Sequence, residues 1–180
     1  SAFYQNDEKP KVSELGRQMA THMGFDHLVI FQTTGKSYLE KENPSLYCSA
    51  EAFKRNIPAV DIECGRLGMI EDEFVDKIVV GVGSLLRHLK MTAGKAIQTE
   101  GIVVFPTRVG MKSNHTGFFY PIKSSGDYIK KGMKIGHITD FFNRVVEEIY
   151  AKESGVIMYM LGTPPVNKGE TLVNIGIIEK

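Results

Sequence analysis

Glu63 is the carboxylate whose position in the sequence is most suited to chemistry. It lies near the end of the run 57–65, Ile-Pro-Ala-Val-Asp-Ile-Glu-Cys-Gly, which combines apolar residues with an early proline and a closing glycine. This composition predicts a buried strand followed by a tight turn. Open α/β sheets bind ligands beside the C-terminal ends of their strands, where a carboxylate can exchange protons with a substrate. The alternative interpretation of Glu63 is a structural carboxylate that backbone donors satisfy.

Two further side chains are candidates for binding a substrate. Arg66 follows Glu63 by three residues, and its guanidinium could pair with a substrate carboxylate. His115 lies in the polar segment 112–117, Lys-Ser-Asn-His-Thr-Gly, which has the composition of a surface loop. A structural or solvent-exposed role is the alternative for both residues.

The five histidines and two cysteines do not form a recognisable metal or nucleophile motif. His22 and His27 are the nearest pair of histidines, but the residues between them cross from a predicted helix end toward a predicted strand. Zinc-binding histidines are typically three or four residues apart on one helix, or on neighbouring strands. Cys64 follows Glu63 directly, but the sequence contains no His-Asn partner set for it. We therefore predict no metal ligand and no nucleophilic cysteine in this chain.

Alternating helices and strands are expected to position these residues in the first part of the chain. The apolar periodicity changes between the helical and the strand pattern in the order that is typical of parallel α/β domains. The predicted elements are helices over 13–23 and 46–55 and strands over 27–31 and 57–63.

The clearest helix is predicted over residues 71–91. Acidic residues occupy its first turn and basic residues its last, which suits the helix dipole, and an apolar stripe runs between them. Gly81 and Gly83 would each lower helix stability by about 1 kcal/mol relative to alanine. Their presence predicts close packing of this helix against a neighbour.

The residues after Gly94 predict a second, all-β unit. Short β-rich runs separated by Gly, Pro, Asn and Asp begin near Glu100, and two of them, 145–150 and 155–160, flank a turn. A pattern Lys-Gly-x-x-apolar-x-x-Ile occurs twice, over 131–138 and 168–175, and predicts two similar half-barrels. We therefore expect an α/β domain over residues 1–94 and a β-barrel domain over residues 95–180.

Charge and composition argue against several classes of partner. The 22 Lys and Arg residues nearly balance the 21 Asp and Glu residues, so neither nucleic acid nor a membrane is expected as a partner. The apolar stretches are well short of the ~20 residues that span a bilayer. Two cysteines make no disulfide framework, which predicts a cytoplasmic location. The start Ser-Ala-Phe, without Met or a leader pattern, predicts a chain that was trimmed or cut from a longer one.

In their order and spacing, these segments resemble the succinylglutamate desuccinylase/aspartoacylase family, relatives of the zinc carboxypeptidases. The resemblance covers nearly the whole chain and implies the C-terminal part of a zinc-carboxypeptidase-like α/β domain, followed by a small all-β barrel of the barrel-sandwich type. The segments that carry the resemblance are 45–52, 56–65, 71–91, 117–122, 126–127, 131–132, 151–155 and 166–169.

The resemblance also implies a function, a zinc-dependent amidohydrolase that removes an acyl group from an N-acylated amino acid or a similar small amide. In such enzymes zinc polarises the carbonyl and activates a water molecule, while a carboxylate carries a proton from the water to the leaving amine. Glu63 matches that carboxylate. The family's His-x-x-Glu motif and its later zinc-binding His are absent from this sequence, so the zinc ligands are expected upstream of this chain.

Two alternatives to an enzyme stay open. The β unit also resembles biotinyl and lipoyl carrier domains, but the stretch 140–146, where a carrier would present its lysine, reads Asp-Phe-Phe-Asn-Arg-Val-Val. Covalent carriage is therefore not expected. The other alternative is a non-catalytic relative, in which the β unit serves homo-oligomerisation and Glu63 is a relic of an active site.

Overall fold

The computed structural model describes residues 1–6, 9–33, 35–37, 40 and 42–178. The chain divides into two compact units, the α/β unit (Ser1–Pro106) and the β unit (Thr107–Lys180). Among the described residues, no helix is both long enough and apolar enough to cross a membrane.

The described part of the α/β unit contains a four-stranded sheet and three helices. Of the two strands predicted in this unit, the first corresponds to β2, which is parallel to β1 and β4, whereas the second contributes β3, which runs antiparallel to β1. The order of the strands in the sheet is β3-β1-β2-β4. The strands are β1 (Ala2–Asn6), β2 (His27–Gln32), β3 (Asp61–Ile62) and β4 (Val103–Phe105), and the helices are α1 (Pro10–Thr21), α2 (Cys48–Lys54) and α3 (Asp72–His88).

The run 57–63 differs from its prediction as a buried strand. Only Asp61–Ile62 is a strand, it pairs with β1 alone at the edge of the sheet, and residues 57–60 are irregular. Burial is limited because an edge strand has a neighbour on one side only: Asp61 and Ile62 are half-buried and Glu63 is exposed. The prediction of a buried strand in this run is therefore wrong.

Helix α3 packs closely against the end of α1 through one of its two glycines. A Cβ atom at Gly81 would overlap the carbonyl oxygen of Met23, so the predicted need for a small residue is confirmed at this position. At Gly83 a Cβ atom would make only ordinary contact with the side chain of Arg87, at 3.6 Å, so the same prediction is wrong there. Ile78 and Leu85 of α3 pack on the core of the unit, which includes Met23.

Up to residue 178, where the description ends, the β unit consists of eight strands in two four-stranded antiparallel sheets, β5-β12-β10-β7 and β11-β6-β8-β9. The prediction of an all-β unit is confirmed, and side chains of both sheets form one hydrophobic core. The division after Pro106 differs from the boundary predicted after Gly94, because β4 pairs with β2 of the first unit. The strands are β5 (Thr107–Lys112), β6 (Gly117–Pro121), β7 (Tyr128–Ile129), β8 (Lys134–Thr139), β9 (Val145–Tyr150), β10 (Gly155–Met160), β11 (Pro165–Val166) and β12 (Thr171–Ile177).

The predicted duplication of the β unit is confirmed by its strand pairing. Strands β7 to β10 form one half, and β11, β12, β5 and β6 are their respective equivalents in the other half. The β8–β9 and β12–β5 pairs have the same register up to Ile138 and Ile175, with a shift after the first residue pair of each, and β8–β9 has a second shift after Ile138. Equivalent residue pairs are Lys134–Tyr150 and Thr171–Lys112, His137–Glu148 and Asn174–Gly110, and Ile138–Glu147 and Ile175–Val109.

Candidate functional site

Glu63 follows β3 and its main chain is held by the first residue of the chain. Its backbone N–H donates to the carbonyl oxygen of Ser1 at 3.1 Å, and its carbonyl accepts from the nitrogen of Ser1 at 2.9 Å. These bonds extend the β1–β3 pairing by one residue. The exposed carboxylate itself has no hydrogen-bond or ion-pair partner within the part of the chain that the structure describes. Glu63 therefore lacks the donors that would mark it as a structural carboxylate.

The segment after Glu63 is a tight turn that leads into α3. Gly65 has a φ of 79°, in the left-handed region that favours glycine, so the predicted turn at this residue is confirmed. The backbone N–H of Arg66 donates to Glu71 Oε2 at 2.9 Å, and its Nε and Nη2 lie 3.1 and 3.0 Å from Glu71 Oε1. Cys64 packs against the core of the α/β unit. These contacts fix the path of the chain between Glu63 and the helix.

Arg66 therefore has a structural partner in this fold. Its guanidinium pairs with Glu71, the residue directly before α3, although 74% of the Arg66 side chain is exposed. Binding of a substrate carboxylate would require Arg66 to share or leave this ion pair. The substrate-binding role of Arg66 stays a prediction.

The histidines of the α/β unit contact different partners. His22 stacks on His88, with 3.7 Å between the ring centroids, and its Nδ1 donates to the carbonyl oxygen of Gln18 at 2.8 Å. His27 packs edge-on against Phe105, with 5.4 Å between the centroids. Burial lowers the pKa of His27, and burial together with the neighbouring His22 lowers the pKa of His88.

A zinc site does not fit the residues described here. Within the described ranges, no three His, Cys, Asp or Glu side chains are grouped so that they could hold a metal ion. A structural zinc takes four such ligands and a catalytic zinc three. His22 and His27, the nearest pair in sequence, are directed to the separate partners given above.

His115 lies in loop 113–116 between β5 and β6 and contacts a carboxylate of β9. Its Nδ1 is 3.2 Å from Glu147 Oε2. Glu147 also accepts from Asn114, through the backbone N–H at 2.9 Å and the side-chain amide at 2.6 Å. The Glu147 side chain is only 12% exposed, whereas that of His115 is 51% exposed. The imidazole is thus held from one side and open to solvent on the other.

The electrostatics of Glu147 favour its ionised form. Burial alone would raise the pKa of this carboxyl group, but the hydrogen bonds from Asn114 and His115 outweigh burial and lower the pKa. An ionised carboxylate only accepts hydrogen bonds, so His115 donates its Nδ1 proton to Glu147. The Nε2 atom of His115 is left to contact another molecule.

Glu147 is a site residue without a predicted role, although the sequence contains a signal for it. Neighbouring residues of a strand lie on opposite faces of the sheet. The adjacent acids Glu147 and Glu148 therefore cannot share the solvent face of the predicted strand 145–150, and Glu147 shares its face with the buried Ile149. An acid on the core face of a strand indicates a specific partner.

A biotinyl or lipoyl carrier domain would present its lysine at the turn between β8 and β9, and here that turn has a different set of residues. Residues 140–144 join β8 to β9, and Asp140 Oδ1 accepts from the backbone N–H groups of Phe142 and Arg144, at 2.8 and 3.0 Å. This turn contains no lysine. It offers no attachment point for biotin or lipoate.

Comparisons of the sequence with protein-family models and with curated proteins found no match. Comparison with solved structures did find matches. The chain superposes on a succinylglutamate desuccinylase/aspartoacylase from Rhodobacter sphaeroides with a TM-score of 0.82 and 18% sequence identity, over 99% of this chain and 54% of that one. The chain has the succinylglutamate desuccinylase/aspartoacylase fold.

Further structures with this fold also superpose on nearly the whole of this chain. The product-bound ectoine utilization protein EutE (DoeB) from Ruegeria pomeroyi matches with a TM-score of 0.83 and 13% identity, over 98% of this chain and 52% of that chain. An aspartoacylase family protein from Mesorhizobium loti matches with a TM-score of 0.68 and 12% identity, over 99% and 53%. The chain thus spans about half the length of these desuccinylase/aspartoacylase structures.

Proposed function

We propose that this chain is the C-terminal part of a zinc-dependent amidohydrolase that removes the acyl group from an N-acyl amino acid or a similar small amide. The observation that carries the proposal is the exposed, unpartnered carboxylate of Glu63 directly after β3, in a chain with the desuccinylase/aspartoacylase fold. In this proposal the β unit closes into a small barrel of the barrel-sandwich type. Its two equivalent sheets around one core support that architecture.

Glu63 is the proton-transferring residue of this reaction. Its carboxylate takes a proton from a water molecule, whose oxygen attacks the amide carbonyl carbon. It then gives the proton to the nitrogen as the C–N bond breaks, so that the products are a carboxylic acid and an amine. Because no described residue binds the Glu63 carboxylate, it is free to serve both steps. Acid–base help of this kind accelerates reactions by about 10²- to 10⁴-fold.

The zinc of such an enzyme would have to be bound by residues outside those described here. The described part of the chain contains no ligand set of the required size. Metal analysis of the complete protein, expressed from its whole coding sequence, is expected to give about one zinc per polypeptide. A folded, complete protein that takes up no zinc would contradict this part of the proposal.

Hydrolysis of a panel of amides tests the proposed activity. The complete zinc-loaded protein is incubated with N-acetyl, N-succinyl and N-formyl amino acids, and release of the free amine is measured. We expect turnover of at least one N-acyl amino acid, and none by Glu63→Gln prepared in parallel. Amide hydrolysis by neither protein, or equal hydrolysis by both, would reject the proposal.

Since Cys48 and Cys64 are free thiols, we place this activity in the cytoplasm.

The competing candidate is a non-catalytic protein whose β unit serves homo-oligomerisation. Phe141 and Phe142, at the turn between β8 and β9, are 73% and 81% exposed, and exposed aromatic pairs are favourable contact residues at protein interfaces. This candidate predicts an oligomer that Phe141→Ser with Phe142→Ser dissociates, together with no amide hydrolysis. Light scattering combined with the amide panel separates the two functions.

A further inference from the structure

The middle of helix α3 is apolar on nearly all of its sides. The residues from Ile78 to Leu86 read Ile-Val-Val-Gly-Val-Gly-Ser-Leu-Leu and contain no charged side chain over about two and a half turns. A helix that is apolar all round is typically buried, because each side needs a neighbour that removes it from water. In the described part of the chain the inner side of α3 has such neighbours, since Gly81 and Ser84 are buried and Leu85 packs on the core.

The side of α3 that points away from this core is open, and we call it the outer face. Its four valines are between 41% and 65% exposed, although valine is one of the residues most often buried. Single exposed apolar residues are normal, whereas a group of them on one surface marks an interaction site. The residues of the outer face are Val75, Val79, Val80, Val82, Gly83 and Leu86.

Gly83 indicates that something packs closely on the outer face. Glycine within a helix is less stable than alanine, so a close neighbour is the usual reason for it. Gly81 has that reason on the inner side, where a Cβ atom would overlap the carbonyl oxygen of Met23. At Gly83 a Cβ atom would meet only the flexible side chain of Arg87 among the described residues. A neighbour on the outer face would give Gly83 the same role as Gly81.

Arg87 adds an unpaired charge beside the outer face. Its half-buried side chain passes next to Gly83 and Gly94, and none of the described carboxylates pairs with its guanidinium. A guanidinium forms strong, often bidentate, hydrogen bonds with a carboxylate. The surface that covers the outer face is therefore expected to be apolar, with a carboxylate opposite Arg87.

A second exposed apolar segment, 67–70, lies between Glu63 and α3. Leu67 and Ile70 are 85% and 87% exposed, and Met69 is exposed as well. The ion pair between Arg66 and Glu71 ties the two ends of this segment together. Apolar side chains exposed to this extent gain free energy when a partner covers them. The segment begins four residues after Glu63, so its partner would lie next to that carboxylate.

We propose that the outer face of α3 and segment 67–70 dock the half of the desuccinylase/aspartoacylase fold that this chain does not contain. The inference rests on the proposed function, in which the chain is the C-terminal part of an enzyme. The length of the matching structures supports this occupant. Because the match covers 54% and 52% of two of those chains, each contains nearly as many residues again as it shares with this one.

Thiol labelling of the complete protein, expressed from its whole coding sequence, tests the docking. Val79→Cys and Ile122→Cys are treated with iodoacetamide, and mass spectrometry follows each cysteine. Here Val79 is 65% exposed and Ile122, in the β unit, 57%. In the complete protein we expect Val79→Cys to react at least about 10-fold more slowly than Ile122→Cys, because the docked half excludes the reagent. Equal rates in the complete protein would overturn the proposal.

A second copy of the chain is the other occupant that could cover the outer face. Labelling is therefore repeated over a dilution series, and light scattering reports the oligomeric state at each concentration. Protection of Val79→Cys that persists in the monomer supports docking within one protein. Protection that disappears as an oligomer dissociates would assign the outer face to self-association and overturn the proposal.

The sign of a single substitution gives a second test. In the 180-residue chain, Gly83→Ala is expected to raise the melting temperature by about 2 to 4 °C, because alanine favours the helix and the position is open. In the complete protein the same methyl group meets the docked half, so the melting temperature is expected to fall. An equal rise in both proteins would contradict close packing on the outer face.

The outcomes separate this inference from the proposed function. Protection of Val79→Cys in a monomeric protein that hydrolyses no amide would keep the docking surface and reject the deacylase. Amide hydrolysis by a protein in which Val79→Cys reacts as fast as Ile122→Cys would keep the deacylase and overturn the docking surface.

Discussion

The two halves of the β unit share their backbone and differ in their charges. Both have a glycine at the start of an inner strand, Gly117 and Gly155, where a Cβ atom would overlap a carbonyl oxygen of the neighbouring strand. Both enter the equivalent strands β8 and β12 from a turn glycine with positive φ, Gly132 and Gly169. Several charged contacts, in contrast, have uncharged or unlike residues at the equivalent positions of the other copy.

The charged pairs of β8 and β9 illustrate the difference. Lys134 Nζ contacts Glu148 at 2.8 Å, and the Tyr150 hydroxyl donates to the same carboxylate, whereas their equivalents in the other half are Thr171, Gly110 and Lys112. A feature present in both copies is a requirement of the fold. A feature without an equivalent is free to serve another purpose, and the His115–Glu147 contact, which joins one half to the other, is of this second kind.

The largest effect is expected for the glycines that both copies contain. Gly117→Ala and Gly155→Ala each force a methyl group against a main-chain carbonyl, of Thr139 and Gly176 respectively, and each is expected to destabilise the protein by about 3 kcal/mol. Chemical denaturation checks both variants. The control is Gly110→Ala, whose Cβ would meet only the movable end of the Asn174 side chain. Strongly unequal losses in the free energy of unfolding for Gly117→Ala and Gly155→Ala would contradict the equivalence of the two halves.

A smaller and again equal effect is expected for the two loop hydroxyls. Thr116→Val and Ser154→Ala each remove the acceptor for a lysine N–H, and each is expected to lower the free energy of unfolding by about 1 kcal/mol. Denaturant midpoints of the two variants measure this effect. If only one of the two variants lost stability, the two equivalent hydrogen bonds would not have the same role in the fold.

The smallest effect is expected in the pH dependence of stability, and in one half only. The pKa of Glu147 is lower in the folded chain than its ordinary value of 4.5. Its stabilising effect is therefore complete above pH 4.5 and is lost as the pH falls through the lowered folded value. Unfolding measured from pH 6 down to pH 3 should lose stability more steeply for the wild type than for Glu147→Val. Parallel curves would contradict a paired, ionised Glu147.

Local patterns in the sequence predicted most of the elements but not how they pair. Helix α3 and strands β9 and β10 were found because their periodicity, dipole charges and turn residues are local signals. The strand β1 was missed because its residues 2–5 are all buried and show no alternation. The position of β3 at a sheet edge follows from pairing with β1, some 60 residues away, which no local pattern records.

The candidate site shows the same limit. The location of Glu63 before the turn at Gly65 was predicted, whereas its exposure depends on the unpredicted edge position of β3. His115 was identified as a loop residue with binding potential, but its partner Glu147 lies 32 residues away and is brought to it by the duplicated fold.

The most direct test of the central claim is the turnover number of Glu63→Gln in the complete zinc-loaded protein. The replacement keeps the size of the side chain and removes its ability to carry a proton. With an N-acyl amino acid that the wild type hydrolyses, we predict a kcat lower by about 10²- to 10⁴-fold, with circular dichroism and zinc content unchanged. Glu100→Gln, at another exposed acid of the α/β unit, should retain full activity. A Glu63→Gln enzyme with near-normal kcat would contradict the assignment of Glu63 as the proton-transferring residue.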